Sequence, residues 1–203
     1  MSFITSYCHL DNESCRVNGQ EIASRDSEST ENWLRQLYKS QDFVYPKFYK
    51  MDSLSQAGFI ASELIKRAQP NLVSNYADDK IALLFGNQYS SVDSDIRFKK
   101  SYQEQGTPSP ALFVYTLPNI VLGEIAILNK WYGENLFVVL PKFTADFFVN
   151  YVQIFISQGS DAVLCGWLGI SSEQMNVFLF LVEKQGEAGM ELTAENLEKI
   201  AGF

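Results

Sequence analysis

SPALFVYTLPNIVLGEIAILNKWYGENLFVVLPKFTADFFVNYVQIFISQGSDAVLCG, residues 109–166, decides the fold class of this 203-residue chain. Pro118 suits the first turn of a helix, where its missing N–H leaves nothing unpaired. Val121, Ile125 and Leu128 then repeat at the spacing of one helix face, with Ile120 and Ile127 widening the stripe. Leu136, Phe137, Val138, Val139 and Leu140 form an unbroken apolar run, the pattern of an interior strand covered on both faces. Thr144 is placed to cap a further helix that Gly159 ends. That helix carries Phe147, Phe148, Val149, Tyr151, Val152, Ile154, Phe155 and Ile156 on almost every face, so it should not face water. Residues 162–165 add another apolar strand.

Reading outward, the same alternation continues. Residues 2–9 alternate and are rich in β-formers, and Asn18-Gly19 between short flanks is a two-residue hairpin signal. Residues 22–31 are polar loop, after which Trp33, Leu34, Leu37 and Tyr38 recur at helical spacing. Ser53 with Gln56 three residues on resembles a capping box, and Leu54, Ala57, Ala61, Leu64 and Ile65 make the buried stripe of the helix it opens, before Pro70. KIALLFG, residues 80–86, reads as a strand buried on both faces. Residues 87–110 are polar and read as a long solvated connection holding the one notable basic cluster, Arg97, Lys99 and Lys100. Residues 177–182 predict a strand and residues 193–200 a terminal amphipathic helix. The whole predicts one α/β domain over residues 1–203, a layered mixed β-sheet with helices on both faces, without internal repeats.

Composition narrows the chemistry. Sixteen Lys and Arg against 24 Asp and Glu give a net charge of −8, which argues against nucleic acid or an anionic membrane surface as partner. A single histidine, His9, weakens every Ser/His/Asp or Cys/His mechanism. Three cysteines, Cys8, Cys15 and Cys165, are too few and too irregular for a disulfide framework and fit a reducing compartment. The expected location is therefore the cytoplasm, with no signal peptide, no membrane span and no cofactor or metal. Cys8 and His9 are neighbours on a predicted strand and point to opposite faces, which removes the one tempting ligand set with Cys15.

Residues 109–166 resemble the β-ketoacyl-acyl-carrier-protein synthases of the thiolase fold, element by element. In that family a Ser-Pro, a short apolar stretch and an Asn-bearing turn open a buried helix. A Gly-Pro-Asn-like turn, a strand, the nucleophile elbow and a second buried helix follow, and a Gly and a short Asp-led strand ending in Gly close the segment. Ser109-Pro110, Thr116 with Asn119, Gly123, Gly133-Glu134-Asn135, the 136–140 strand, Gly159, Asp161 and Gly166 stand in those places. KMDSLSQAGFIASELI, residues 50–65, looks like the family's first long helix, and KIALLFG like the strand after it.

Two departures shape the function that the resemblance implies. The family's catalytic cysteine falls on Lys142, so the thiolate that carries the acyl chain is missing. The family is also built of two similar halves, of which the second brings two histidines, and this chain matches one half. The resemblance thus implies a non-catalytic subunit, akin to the chain-length factor that pairs with an active ketosynthase in fatty acid and polyketide assembly, most like the short versions of aryl polyene or flexirubin type clusters. It implies a dimer, with a ketosynthase subunit or with itself, whose seam is the strand of Leu136, Phe137, Val138, Val139 and Leu140. Leu112, Phe113, Tyr115 and Thr116 would line the acyl tunnel and face the partner. An acyl carrier protein would be engaged only indirectly, since carrier proteins are themselves acidic.

Two other readings remain open at this stage. One is a free-standing homodimeric acyl-binding or scaffold protein of thiolase fold. The other is a lysine-dependent acyl enzyme, which needs Lys142 desolvated beside Phe143, Phe137 and Phe147 to act as an amine nucleophile or base.

Overall fold

Alternating burial runs the length of β1 (Phe3–Asp11), so one set of its side chains faces a core on each side of the backbone. In the computed structural model, which describes residues 2–171, 174–185 and 189–202, β1 is followed by the predicted hairpin of β2 (Ser14–Val17) and β3 (Gln20–Ser24). Asn18 and Gly19 at its turn both adopt positive φ, +50° and +81°, as a two-residue hairpin requires. Helix α1 (Trp33–Ser40) buries Trp33, Leu34, Leu37 and Tyr38, the four residues whose spacing predicted it.

A 3-10 turn (Pro46–Lys50) leads into α2 (Ser53–Ala68), whose cap lies one residue earlier than the sequence pattern placed it. Asp52 Oδ1 accepts the Ser55 N–H at 2.9 Å, while Gln56 donates instead to the Phe48 carbonyl at 3.0 Å. A carboxylate is as good a cap as a hydroxyl and it stood next to the candidate. After the single turn α3 (Leu72–Asn75) comes β4 (Ile81–Asn87), buried at all seven positions.

Residues 87–110 are not a solvated connection: most of them form α4 (Val92–Gln105). Its inward positions are Ser91, Ser94, Phe98 and Ser101, at helical spacing but mostly small and polar, so no apolar periodicity announced the helix. Then follow α5 (Pro110–Val114) and α6 (Ile120–Asn129), the latter beginning two residues after Pro118. Val121 and Ile125 of α6 are fully buried, whereas Ile127 is 67% exposed and does not widen the stripe. Beyond them come β5 (Asn135–Val139), α7 (Ala145–Ser157), β6 (Ala162–Ile170), β7 (Met175–Glu183), the short β8 (Met190–Glu191) and α8 (Ala194–Ala201), which Thr193 caps.

All the strands join one sheet in the order β3-β2-β1-β7-β6-β4-β5, with β8 beside β1. The sheet is mixed: β4 runs parallel to β5 and β6, and the other pairings are antiparallel. On one face Phe48, Phe59, Ile60, Leu83 and Phe85 pack with α1, α2 and α6. On the other, Leu84, Phe148, Val152, Phe178, Phe180 and Leu197 pack with α7 and α8. Each such side chain contributes about 1.5–3 kcal/mol by leaving water, so these two layers hold the fold. Gly58 is required where α2 crosses α6, because a Cβ there would collide with Val121 Cγ2.

Cys8 lies in the core on the α2 face, and its Sγ is 4.0 Å from that of Cys15. His9 lies on the opposite face, with Nε2 2.8 Å from the Ile200 carbonyl and its ring stacked on Phe178 at 4.6 Å. Burial holds the His9 imidazole below its ordinary pKa, with the hydrogen bond to Ile200 opposing. No cluster of three or more His, Cys, Asp or Glu among the described residues could hold a metal ion. No helix among them is long and apolar enough to cross a membrane.

Candidate functional site at the open edge of the sheet

Strand β5, expected inside the sheet, is its edge. It pairs with β4 and with no other strand among the described residues. Leu83 N–H donates to the Glu134 carbonyl and Leu140 N–H to the Asn87 carbonyl, both at 2.9 Å. The alternation of a parallel ladder therefore turns the peptide groups of Phe137 and Val139 away from β4, to the open side. Leu136, Phe137, Val138 and Leu140 are half-buried and Val139 is 53% exposed. The other edge, β3, carries Gln20, Glu21 and Ser24, the polar trim by which a sheet edge discourages pairing. β5 has such a residue only at its start, Asn135, and is apolar from Leu136 to Val139.

The turn after β5 carries Lys142, which is exposed. Phe143 pins this turn from beneath, stacked on Phe148 at 5.3 Å and edge-on to Trp167 at 6.1 Å. Thr144 occupies the cap position of α7, but its hydroxyl donates to the Lys142 carbonyl at 3.3 Å and leaves the helix N–H groups uncapped. With Lys142 in solvent, the dry apolar surround that a lysine nucleophile needs is not formed by this chain. Helix α7 also departs from expectation. It buries Ala145, Phe148, Val152 and Phe155 against the sheet, while Asp146, Asn150, Gln153 and Ser157 form a polar outer face. Between the two, Phe147 and Tyr151 are half-buried and Ile154 is exposed, so apolar surface is confined to the flanks.

Residues 109–117 pack against α4. Ser109 caps α5, accepting the Leu112 N–H at 3.4 Å, with Pro110 in its first turn. Phe113 is 57% exposed and touches Phe98 of α4 at 5.4 Å. Tyr115 turns inward: its hydroxyl donates to Glu124 at 3.3 Å, and Glu124 is paired with Lys47 at 2.7 Å. Burial, then the neighbouring Glu124 carboxylate, push the Tyr115 phenol well above its ordinary pKa. Tyr115 is thus an anchor within the chain rather than a residue that faces a partner. Leu112 is half-buried at a cleft beside it, and Thr116 is fixed through its carbonyl, which accepts the Ser91 hydroxyl at 2.6 Å.

One residue the sequence did not single out joins these parts. Asn87, fully buried at the end of β4, accepts from Leu140 through its carbonyl. Its side chain bonds Ser90 twice, Nδ2 donating to the Ser90 carbonyl at 2.7 Å and Oδ1 accepting the Ser90 N–H at 2.8 Å. This holds Ser90 at φ +54°, a conformation disfavoured for residues other than glycine, and sets Ser91 against Thr116. Asn87 thus links the end of the edge strand, through Ser90 and Ser91, to the segment that carries Phe113. The only cue in the sequence was an amide directly after the buried run of β4.

No protein-family model matches the chain, and no curated protein matches it either. Solved structures do match. The ishigamide ketosynthase/chain length factor aligns over 93% of this chain with a TM-score of 0.64 and 16% identity. The fold is that of ketosynthases and chain length factors. A type II PKS acyl-carrier protein in complex with its ketosynthase bound to the hexaketide aligns over 91%, with a TM-score of 0.63 and 11% identity. The chain spans 62% and 63% of the length of these two ketosynthase-fold chains. A ketosynthase in complex with its chain length factor from Xenorhabdus doucetiae aligns over 99% of this chain and 90% of the matched one, with a TM-score of 0.59 and 12% identity.

Proposed function

We propose that this chain is a non-catalytic, chain-length-factor-like subunit that joins an active ketosynthase through the open edge of β5. One observation carries the reading. β5 offers an apolar strand whose outward side pairs with no other strand among the described residues, where natural sheets normally place charge, proline or a cover. A strand from a partner laid there would continue the sheet and remove Val139 from water. The exposed Lys142 occupies the strand-to-helix turn in which a synthase of this fold carries its cysteine, so the chain itself supplies no thiolate at that turn. The near-equal length of the matched chain from the Xenorhabdus ketosynthase and chain length factor complex supports a half-size partner.

In this reading Phe113, with Leu112 and Thr116 behind it, projects from the same surface and shapes the far end of the partner's acyl tunnel. Pairing of the aryl polyene type is the finer form of the proposal. An acyl carrier protein is then met through the complex. Co-expression with a full-length ketosynthase, followed by size exclusion with light scattering, tests the reading: a 1:1 complex is expected, and a chain that stays monomeric beside the synthase overturns it.

A further inference from the structure

In a chain of net charge −8, three cations converge on one cleft. Arg35 of α1, Lys50 at the end of the 3-10 turn and Arg97 of α4 line a cavity of about 260 Å³. None of the three has an ion pair within 4 Å among the described residues, although Arg16, Arg25, Lys39, Lys47, Lys66 and Lys184 all do. The Arg35 guanidinium lies 5.7 Å from the centre of the Tyr49 ring, also in the cleft wall. Ser53, the first residue of the sixteen-residue α2, lines the cleft too, so the positive end of that helix opens into it.

The carboxylate in the wall, Asp52, is already engaged. Its Oδ1 accepts the Ser55 N–H and its Oδ2 accepts the Ser94 hydroxyl at 2.9 Å. Asp93, one turn before Arg97 on α4, borders the adjoining cavity, which Arg97 also lines, and its carboxylate is near enough to interact with the Arg97 charge without forming an ion pair within 4 Å. Three cations therefore line a cleft whose one carboxylate, Asp52, turns its oxygens inward, with Asp93 at its margin beside Arg97. Two guanidinium forks and an ammonium from three separate elements match a tetrahedral dianion, which offers an acceptor to each.

We propose that this cleft binds a phosphate group, as a phosphate monoester of a small metabolite or as the free ion. Leu112 and Tyr115 also line this cleft, but its three cations lie on α1, the 3-10 turn and α4 and none on β5, so failure of phosphate binding would leave the pairing with a ketosynthase untouched. Isothermal titration calorimetry on the whole chain, with inorganic phosphate and with glycerol 3-phosphate at matched chloride ionic strength, tests it. One saturable site per chain is expected. Arg97→Gln and Lys50→Gln should each weaken binding about tenfold, which is about 1.4 kcal/mol. Lys99→Gln, exposed on α4 but outside the cleft, should change nothing. All these side chains are exposed, and Arg35→Gln serves as a third probe should either of the first two lower the melting temperature. Tighter binding of the ester assigns the site to a metabolite and equal binding to the free ion. No saturable binding, or Lys99→Gln weakening it as much as Arg97→Gln, overturns the proposal.

Discussion

Leu140 donates its backbone N–H to the Asn87 carbonyl at 2.9 Å, and this bond ties the last turn of the open edge strand to the buried end of β4. Asn87 in turn holds Ser90 in a left-handed conformation through two side-chain bonds. Asn87→Ala removes both and lets Ser90 relax. We expect a loss of about 2 kcal/mol in urea unfolding, the usual cost of orphaning buried hydrogen-bonding groups. Asn87→Asp should cost less if one of the two bonds is what matters, and an unchanged midpoint for Asn87→Ala would remove Asn87 from its linking role.

The exposed edge allows a clean separation of folding from pairing. Val139→Lys should shift stability by no more than about 0.5 kcal/mol, since the side chain is half in solvent already. It should weaken co-purification with a ketosynthase at least about tenfold, because a charge on an edge strand blocks strand addition. A Val139→Lys chain that still elutes 1:1 with its synthase would place the seam elsewhere.

Phe113 tests the tunnel. Because it is 57% exposed, Phe113→Trp should fold normally, shorten the products of the complex and leave the complex assembled. Phe113→Ala should lengthen them. Mass spectrometry of the released products decides, and an unchanged profile for both variants would make this surface remote from the chain. Tyr115→Phe should instead act on stability, since its hydroxyl bonds Glu124 inside the molecule.

Helix, strand and hairpin signals were legible wherever burial demanded large apolar residues or a turn demanded left-handed backbone. KIALLFG, Trp33 with its helical partners and Asn18-Gly19 are the instances. What escaped was structure held by small polar groups. Helix α4 packs through Ser91, Ser94 and Ser101, and the buried Glu124 sits in the middle of an apolar helix because Lys47 and Tyr115 reach it from distant segments. Edge or interior position escaped as well: residues 136–140 are equally apolar in either place, and only the absence of a second neighbour distinguishes them. Helix α7 looked apolar all round because its polar residues Asp146, Asn150 and Gln153 are single and lie between apolar ones, though with Ser157 they fall on one line of the helix.

Lys142→Cys alone should give no condensation of malonyl and acyl thioesters, because the one histidine, His9, is hydrogen-bonded to the Ile200 carbonyl and the two histidines of a synthase have no counterpart here. Lys142→Met should leave the output of a complex with a ketosynthase unchanged. Carbon dioxide release by the Lys142→Cys protein without a partner would contradict the non-catalytic assignment.

His9 adds a pH dependence to stability near neutrality. Its imidazole is held below the ordinary value mainly by burial, so the unfolded chain binds the proton more readily than the folded one. Stability is full above the unfolded value, about 6.5. It should fall as pH drops below that, and go on falling until the folded ring itself is protonated. His9→Gln, which keeps a donor for the Ile200 carbonyl, should flatten this part of the profile in unfolding measured between pH 5 and 8 by about the same chemistry that created it. An identical pH slope in the variant would assign the effect to other groups.

All three native thiols, at Cys8, Cys15 and Cys165, are fully enclosed by packed side chains. A maleimide or spin label offered to the folded chain consequently finds no ready target, and one cysteine introduced at the solvent-facing Lys142 becomes the single addressable position. A dye placed there sits a few residues from the strand assigned to the seam, so the same variant that probes the chemistry doubles as an optical ruler for any partner that arrives.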